Sequence, residues 1–546
     1  MFLLHLHPQP ATRVFTRAMA MGPVSMRSEV RPLLTLALPL IASSMLSFLM
    51  TLVDLRTVGQ LGPHELAAAA MGNLLWQVIQ HPCLGCATAL DTLLSQAFGA
   101  KQMSAYGLHT QTGLLVMLVL SLPFMLILSI AGPVLLAVGV EAALADSAGL
   151  FCNYLVMGVP PFFVFQVLTK HLQAQSILAP AVLVGTVCNL ANAFGNWFLV
   201  FHLDLGFRGA PLATTASRWL QCILLGLYTL LAREQLRPTL PPCHLQWRQL
   251  PHRVKQFLAL GAPGAAMMSF EAWFFEIATL LASFLGTIAL DAHVVMLNIC
   301  AFTFLSFPFA LGIAASIRVG HTLGSGQPAA AKATSNLTFA LILTFMTTLA
   351  IVKVACRQFL GRIFTSDPAV VAKVASLALC AAVFQISDGT QAAAAGVMRG
   401  MGRQATVAWL NLIGFWVLGL GVGVFLTFGL HLGVEGLWWG MAVGLTCTSV
   451  LACVMLMRTD WEAQARAAKS RSNTIHSSSS NQNNHGRSTA DEDSVPATPS
   501  AVETVVVELS PAPDPAEHGV HGTQQNGAEK RPSCEDDGVR LAHALP

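Results

Sequence analysis

The stretch LALGAPGAAMMSFEAWFFEIATLLASFLG, residues 258–286, decides the fold. It is apolar over a length that crosses a bilayer, for which about 20 residues suffice. Two carboxylic acids, Glu271 and Glu276, lie inside it. An unpaired carboxylate in hydrocarbon costs on the order of 3 kcal/mol on insertion scales. Two such groups close together also repel when both are charged. They persist in a span only where they face a wet cavity, share a proton or meet a cation. Asp54 and Asp388 repeat the anomaly in other apolar stretches. A chain whose few intramembrane charges are mostly acidic is built to handle protons or cations.

The rest of the chain agrees with a membrane location. Hydrophobic residues make up 54% and charged residues 10%, against about 25% charged in soluble domains; mean hydropathy is +0.61. Twelve apolar stretches of spanning length lie near 33–53, 65–88, 109–131, 148–169, 178–201, 210–232, 257–285, 288–312, 335–356, 370–397, 405–428 and 436–457. A transmembrane β-barrel would instead show alternating segments of about ten residues. The expectation is an all-α polytopic membrane protein. Its parts read as an N-terminal segment over 1–32, a six-helix bundle over 33–232, a basic linker over 233–256, a second six-helix bundle over 257–460 and a disordered tail over 461–546.

Lys and Arg set the orientation. Arg13, Arg17, Arg27 and Arg31 precede the first span, and Arg233, Arg237, Arg248, Arg253 and Lys255 fill the linker. Both termini are expected to be cytoplasmic; Lys353, Arg357 and Arg362 are the exceptions to the rule. A net charge of +3, with no basic patch bearing aromatics, gives no reason to expect a nucleic-acid partner. Cys83-x-x-Cys86 stands in a span without a partner pair and reads as small residues at a helix contact. His81, His171 and His293 are scattered, so neither a metal site nor an enzyme's catalytic constellation is expected. No G-x-x-x-x-G-K-[ST] phosphate loop occurs, and no cofactor is expected.

The two halves echo each other. Gln96-Ala-Phe-Gly99-Ala-Lys-Gln102 follows the second span, and His321-Thr-Leu-Gly324-Ser-Gly-Gln327 follows the eighth. Leu205-Gly206-Phe-Arg-Gly209 precedes the sixth span, and Leu432-Gly433-Val-Glu-Gly436 the twelfth. The fifth span carries Asn189 and the eleventh Asn411. Six spans per half make a parallel repeat about an axis along the membrane normal. Two pseudo-symmetric six-helix bundles with a cleft between them suit alternating access.

Several of these segments resemble the multidrug and toxic compound extrusion (MATE) transporters. The likeness rests on Ala89-Leu-Asp91-Thr-Leu-Leu-Ser-Gln96-Ala-Phe-Gly99, Gln173-Ala-Gln-Ser-Ile-Leu-Ala-Pro180 with Asn189-Leu-Ala-Asn192, and Gly396-Val-Met-Arg399-Gly400-Met-Gly402-Arg-Gln404 with Asn411. Phe270-Glu271-Ala-Trp273-Phe-Phe-Glu276 resembles the seventh helix of the eukaryotic branch. The resemblance covers about residues 30–460 and not the tail. It implies an antiporter that expels organic cations in exchange for protons, or in some bacterial members sodium. Carried over by position, Glu271 and Glu276 match the seventh-helix acids and Asp388 the tenth-helix acid. Asp54 falls where several prokaryotic members place an aspartate. Where animal members often have another glutamate in the eighth helix, this chain reads Met296-Leu297-Asn298.

Glu271, Glu276, Asp388 and Asp54 are therefore the expected coupling and substrate-binding acids. On one helix Glu271 and Glu276 stand about 140° apart and cannot face one point. Trp273, Gln173, Asn189, Asn192 and Gln385 are expected to line the cavity, Trp273 and Phe274 offering π faces to a cation. Asp91 is expected to hold its loop through local hydrogen bonds, and Arg56 is close enough in sequence to pair with Asp54. The implied partners are small organic cations, protons rather than sodium, and the lipid bilayer. The chain is expected to act as a monomer in the plasma membrane, a vacuolar or other organelle membrane being the alternative. The competing reading is a sodium-coupled exporter, or a flippase-like exporter of lipid-linked or neutral compounds.

Overall fold

The computed structural model describes residues 26–242 and 247–471; most of the N-terminal segment, part of the linker and the tail beyond Arg471 lie outside the described residues. The described residues form helices joined by short turns, with no strand among them. Twelve helical spans can be followed. The first six are α1 Met26–Gly59, α2 Pro63–Ala87 continued by Ala89–Gly99, α3 Met103–Ser129, α4 Ala142–Val156 with Val159–Gln173, α5 Ala179–His202 and α6 Gly209–Leu231. The second six are α7 Leu250–Ser283, α8 Thr287–Gly324, α9 Pro328–Ala355, α10 Pro368–Met401, α11 Gln404–Gly429 and α12 Val434–Met457. Among the described residues nine helices are long and apolar enough to cross a membrane alone; the α4 pair, bent by 53°, makes ten.

Proline explains the breaks. Pro160 and Pro161 follow Gly158 at the bend of α4, and Pro308 interrupts α8 after Phe307. A proline removes one backbone donor and disfavours the helical conformation at the preceding residue. The start of α10 is well marked: the Asp367 carboxylate accepts from the Ala369 N–H at 2.8 Å, with Pro368 in the first turn. Its end is equally clear, since Gly402 adopts φ 79°, a left-handed conformation that costs glycine little.

The repeat read from sequence is visible in backbone geometry. Both α5 and α11 end in π-helical turns, Phe198–His202 and Phe425–Gly429. Leu205 N–H bonds Leu199 O at 3.1 Å, and Leu432 N–H bonds Leu426 O at 3.1 Å. Asp204 and His431 both take φ 53°. Gly209 sits against the backbone of Leu199–Val200, and Gly436 against that of Leu426–Thr427, too close in each case for a β-carbon. The Asn189–Asn411 echo differs: Asn411 is fully buried and Asn189 is not.

Within the first half α5 packs on α1 and α6, and α4 on α2, α3 and α6. Within the second half α10 is central, packed on α8, α9 and α12. Each half has an apolar core of its own, around Phe124, Phe163 and Tyr106 in one and Phe274, Phe384 and Trp438 in the other. The halves meet where α2 crosses α7 and α8, and where α1 runs along α8. Small residues allow the close approach: Gly85 packs on Gly264, and Gly261 on Cys86, so Cys86 is indeed a small residue at a helix contact. Gly99 abuts the His321 carbonyl while Gly324 abuts the Gln96 carbonyl. That reciprocal contact is what a two-fold relation between α2 and α8 demands.

Three boundaries differ from the sequence reading. Helix α1 already begins at Met26, and α7 at Leu250, so the linker is shorter than expected. The tail does not begin at 461. Residues 461–471 are helical, with Trp461, Ala465 and Ala468 buried against the second half. Three apolar residues at helical spacing were enough to dock this segment, and the polar composition beyond 471 masked them.

Candidate functional site

Asp54 lies near the end of α1, and α5 presents Asn189, Asn192 and Asn196 to it. Spacings of three and four residues put these amides on one helix face. Asn192 Nδ2 donates to both carboxylate oxygens of Asp54, at 2.8 and 3.0 Å, and Asn196 Nδ2 donates at 2.6 Å. Asn189 Nδ2 reaches Ser47 Oγ at 3.4 Å, one face down the same pair of helices. Three amide bonds onto one carboxylate supply it with donors inside the bundle. Arg56 is exposed, and the amides rather than Arg56 hold the acid. Asn196 escaped the sequence reading, although its spacing from Asn192 was the signal that could have found it.

The second half assembles a different acidic site. Glu271 on α7 is half-buried, sits against the Asn411 amide and is attracted by Arg399. Asp388 on α10 is buried and feels both the repulsion of Glu271 and the attraction of Lys353. Gln391 Nε2 donates to Asn411 Oδ1 at 2.6 Å, and Asn411 Nδ2 donates to Met267 O at 3.0 Å. These bonds tie α10, α11 and α7 together around the acids. Asn411 is followed directly by the π-helical stretch Leu412–Leu420, a deviation that often accompanies functional sites. Lys353 Nζ lies 3.2 Å from Cys300 Sγ on α8. Sequence counted Lys353 with Arg357 and Arg362 as an exception to the Lys/Arg bias; the structure buries it in the bundle.

Glu276 is half-buried one and a half turns from Glu271 and does not share its surroundings. Gln385 is buried, and neither of its side-chain polar atoms has a partner among the described residues. Gln173 ends α4, a helix of the first half, whereas the acids Glu271, Glu276 and Asp388 lie on α7 and α10 of the second. Trp273 Nε1 donates to Val78 O at 3.0 Å, so this indole fastens α7 to α2. Phe274 packs on Phe275 and Phe415 in the apolar core and offers no open π face. Asp91 departs from expectation as well. It pairs with Lys170 Nζ at 2.6 Å, joining α2 to α4. Among the described residues no group of His, Cys, Asp and Glu could hold a metal ion.

A polar seam runs between the halves at the end carrying both described termini. Arg318 on α8 grips Glu29 on α1 with two bonds, at 2.6 and 2.9 Å, and Thr334 adds a third at 3.1 Å. Thr92 donates to Arg399 O at 2.5 Å, Gln96 to Gly400 O at 2.9 Å and Gln404 to Thr92 Oγ1 at 2.8 Å. Arg471, in the helix after α12, donates to Gln96 Oε1 at 3.1 Å and to Met401 O at 2.8 Å. One side chain thus touches both halves.

Comparison with known proteins agrees with this arrangement. The MatE family model matches residues 39–198 and 263–425. Protein DETOXIFICATION 16 of Arabidopsis thaliana is 32% identical over 464 residues, covering 84% of this chain and 93% of its own length. Multidrug and toxin extrusion protein 1 of Xenopus tropicalis is 31% identical over 461 residues, covering 82% of this chain and 78% of its own. The crystal structure of the eukaryotic MATE transporter AtDTX14 superposes with a TM-score of 0.77 at 30% identity, covering 82% of this chain and 99% of that one. With both halves matched by the family model, relatives above 30% identity along most of their length and twelve membrane helices in two bundles, the chain belongs to the MatE family of membrane transporters.

Proposed function

We propose that this protein is a proton-coupled antiporter that exports small organic cations by alternating access. The observation that carries the reading is the buried Asp388 on α10 and the half-buried Glu271 on α7, set in one membrane bundle whose helices α10, α11 and α7 are tied together by the Gln391–Asn411–Met267 hydrogen bonds. A carboxylate is the natural partner of a cation and of a proton, and it cannot hold both at once. Competition for the same acids couples the two ligands, and linkage makes the effect reciprocal. Loading with the organic cation expels the proton on one side; protonation on the other expels the cation. Names such as multidrug and toxin extrusion among the relatives support this substrate class.

Asp54, held by two amides, serves as a second proton site in the first bundle. Glu276 lies on another face of α7 and contributes to the substrate path rather than to the pair. Protons fit better than sodium, which needs several converging oxygens, whereas amides, an ammonium and a guanidinium surround these acids. The Lys/Arg bias supports cytoplasmic termini.

Uptake of a fluorescent organic cation into vesicles holding the full chain tests the reading. Uptake is expected to follow an imposed pH gradient and to be indifferent to replacing sodium by potassium. Uptake that tracks a sodium gradient at equal pH on both sides would overturn the proton assignment.

A further inference from the structure

We propose that Lys353 is the resident countercharge of Asp388 and makes the site discriminate against doubly charged organic cations. The inference rests on the organic-cation reading above and adds a specificity-determining residue to it.

Lys353 is 4% exposed, in the last turn of an apolar helix. A buried ammonium needs compensation. Among the described residues its ammonium has one hydrogen-bond partner, the Cys300 sulfur at 3.2 Å, and a thiol is a weak acceptor. A charge-bearing partner is therefore required, and the packing supplies one.

The register of α9 against α10 shows how. A β-carbon on Gly389 would meet Met346 Cγ at 2.5 Å and Ile342 Cγ2 at 3.0 Å. The level of Asp388 on α10 therefore faces the Ile342–Met346 turn of α9. Lys353 follows Met346 by two helical turns, about 10 Å, on the same face. Side chains on a helix lean toward its N-terminus, so Lys353 leans back toward the level of Asp388. Cys300 on α8, buried beside the Lys353 ammonium at 3.2 Å, fixes where that ammonium lies.

The charged groups of this region are then Glu271 and Asp388 on one side, Lys353 and Arg399 on the other. Arg399 acts on Glu271, while its own backbone carbonyl is held by Thr92 in the seam. Lys353 acts on Asp388. A singly charged ligand can satisfy an acid in place of this ammonium. A doubly charged ligand carries a second positive charge into a region that already has two. Removing Lys353 leaves the two acids with one positive charge fewer beside them, and a dication gains more from that than a monocation does.

The test uses the full chain in vesicles and two probes, tetraethylammonium and the bis-quaternary dication paraquat. The measured quantity is the ratio of their potencies as inhibitors of each other's uptake. Lys353→Met is expected to raise the paraquat-to-tetraethylammonium ratio about tenfold, and Lys353→Arg to leave it unchanged. If Lys353→Met does not reach the membrane, Lys353→Gln is expected to give the same shift. Direct binding of both ions to detergent-purified wild-type and Gln variant supplies the ratio where transport is too slow to read. An unchanged ratio with wild-type uptake intact overturns the role of Lys353 alone. Wild-type vesicles that take up neither ion under any gradient overturn the organic-cation reading and the selectivity together.

Discussion

Glu271 is where residue-level physics was most legible, because a carboxylic acid in an apolar run needs a reason. The structure supplies neighbours that sequence could not: Asp388 repelling it, Arg399 attracting it and Asn411 beside it. Glu271→Gln keeps the shape but cannot titrate. We expect it to reduce pH-driven uptake by roughly tenfold or more, measured as the initial rate in vesicles, with the amount of folded protein unchanged. Near wild-type uptake would remove Glu271 from the coupling step. Lys353 was illegible for an equally physical reason. A lysine in the last turn of a span reads as a snorkelling or loop charge, and only the packing of α9 on α8 and α10 buries it.

At the level of elements, glycine marks the crossing of α2 and α8. Gly99 and Gly324 each meet a backbone carbonyl on the opposite helix, so a β-carbon at either cannot be absorbed by a side-chain rotation. Gly324→Ala is expected to cost about 1–3 kcal/mol in this conformation, seen as a lower melting temperature of the purified protein. An unchanged melting temperature would mean that the crossing adjusts without cost. The echoing motifs around these glycines were readable because tight turns and close crossings demand particular residues. The hydrogen bonds of the seam were not readable, since Thr92, Gln96 and Gln404 carry no label saying which helix they will meet. Trp273 shows the same limit: its aromatic character was plain, but its role as a bolt between α7 and α2 follows only from where Val78 lies.

At the scale of the whole molecule, alternating access requires the polar seam to part, and the helix over 461–471 lies across it. Deletion of residues 472–546 is expected to leave uptake and melting temperature at wild-type values. Deletion from 461 is expected to lower both, because it removes the buried Trp461, Ala465 and Ala468 and the Arg471 bonds to Gln96 and Met401. Equal behaviour of the two truncations in uptake and thermal melting would show that the helix is a passenger.

The sequence alone determined the membrane class, the number of spans, the repeat and the family likeness, and it singled out four acids in apolar stretches. Those features are local: hydropathy over twenty residues, charge out of place, and glycine where the backbone must turn. Only the tertiary structure decided which helices and side chains surround each acid. Glu271 and Asp388 are more than a hundred positions apart, and Asp54 lies in the other bundle with Asn192 and Asn196. Their grouping depends on helix register and rotation, which hydropathy leaves free because lipid and packed protein look alike to an apolar side chain. The same freedom hid Lys353 and Arg471, whose partners come from other helices.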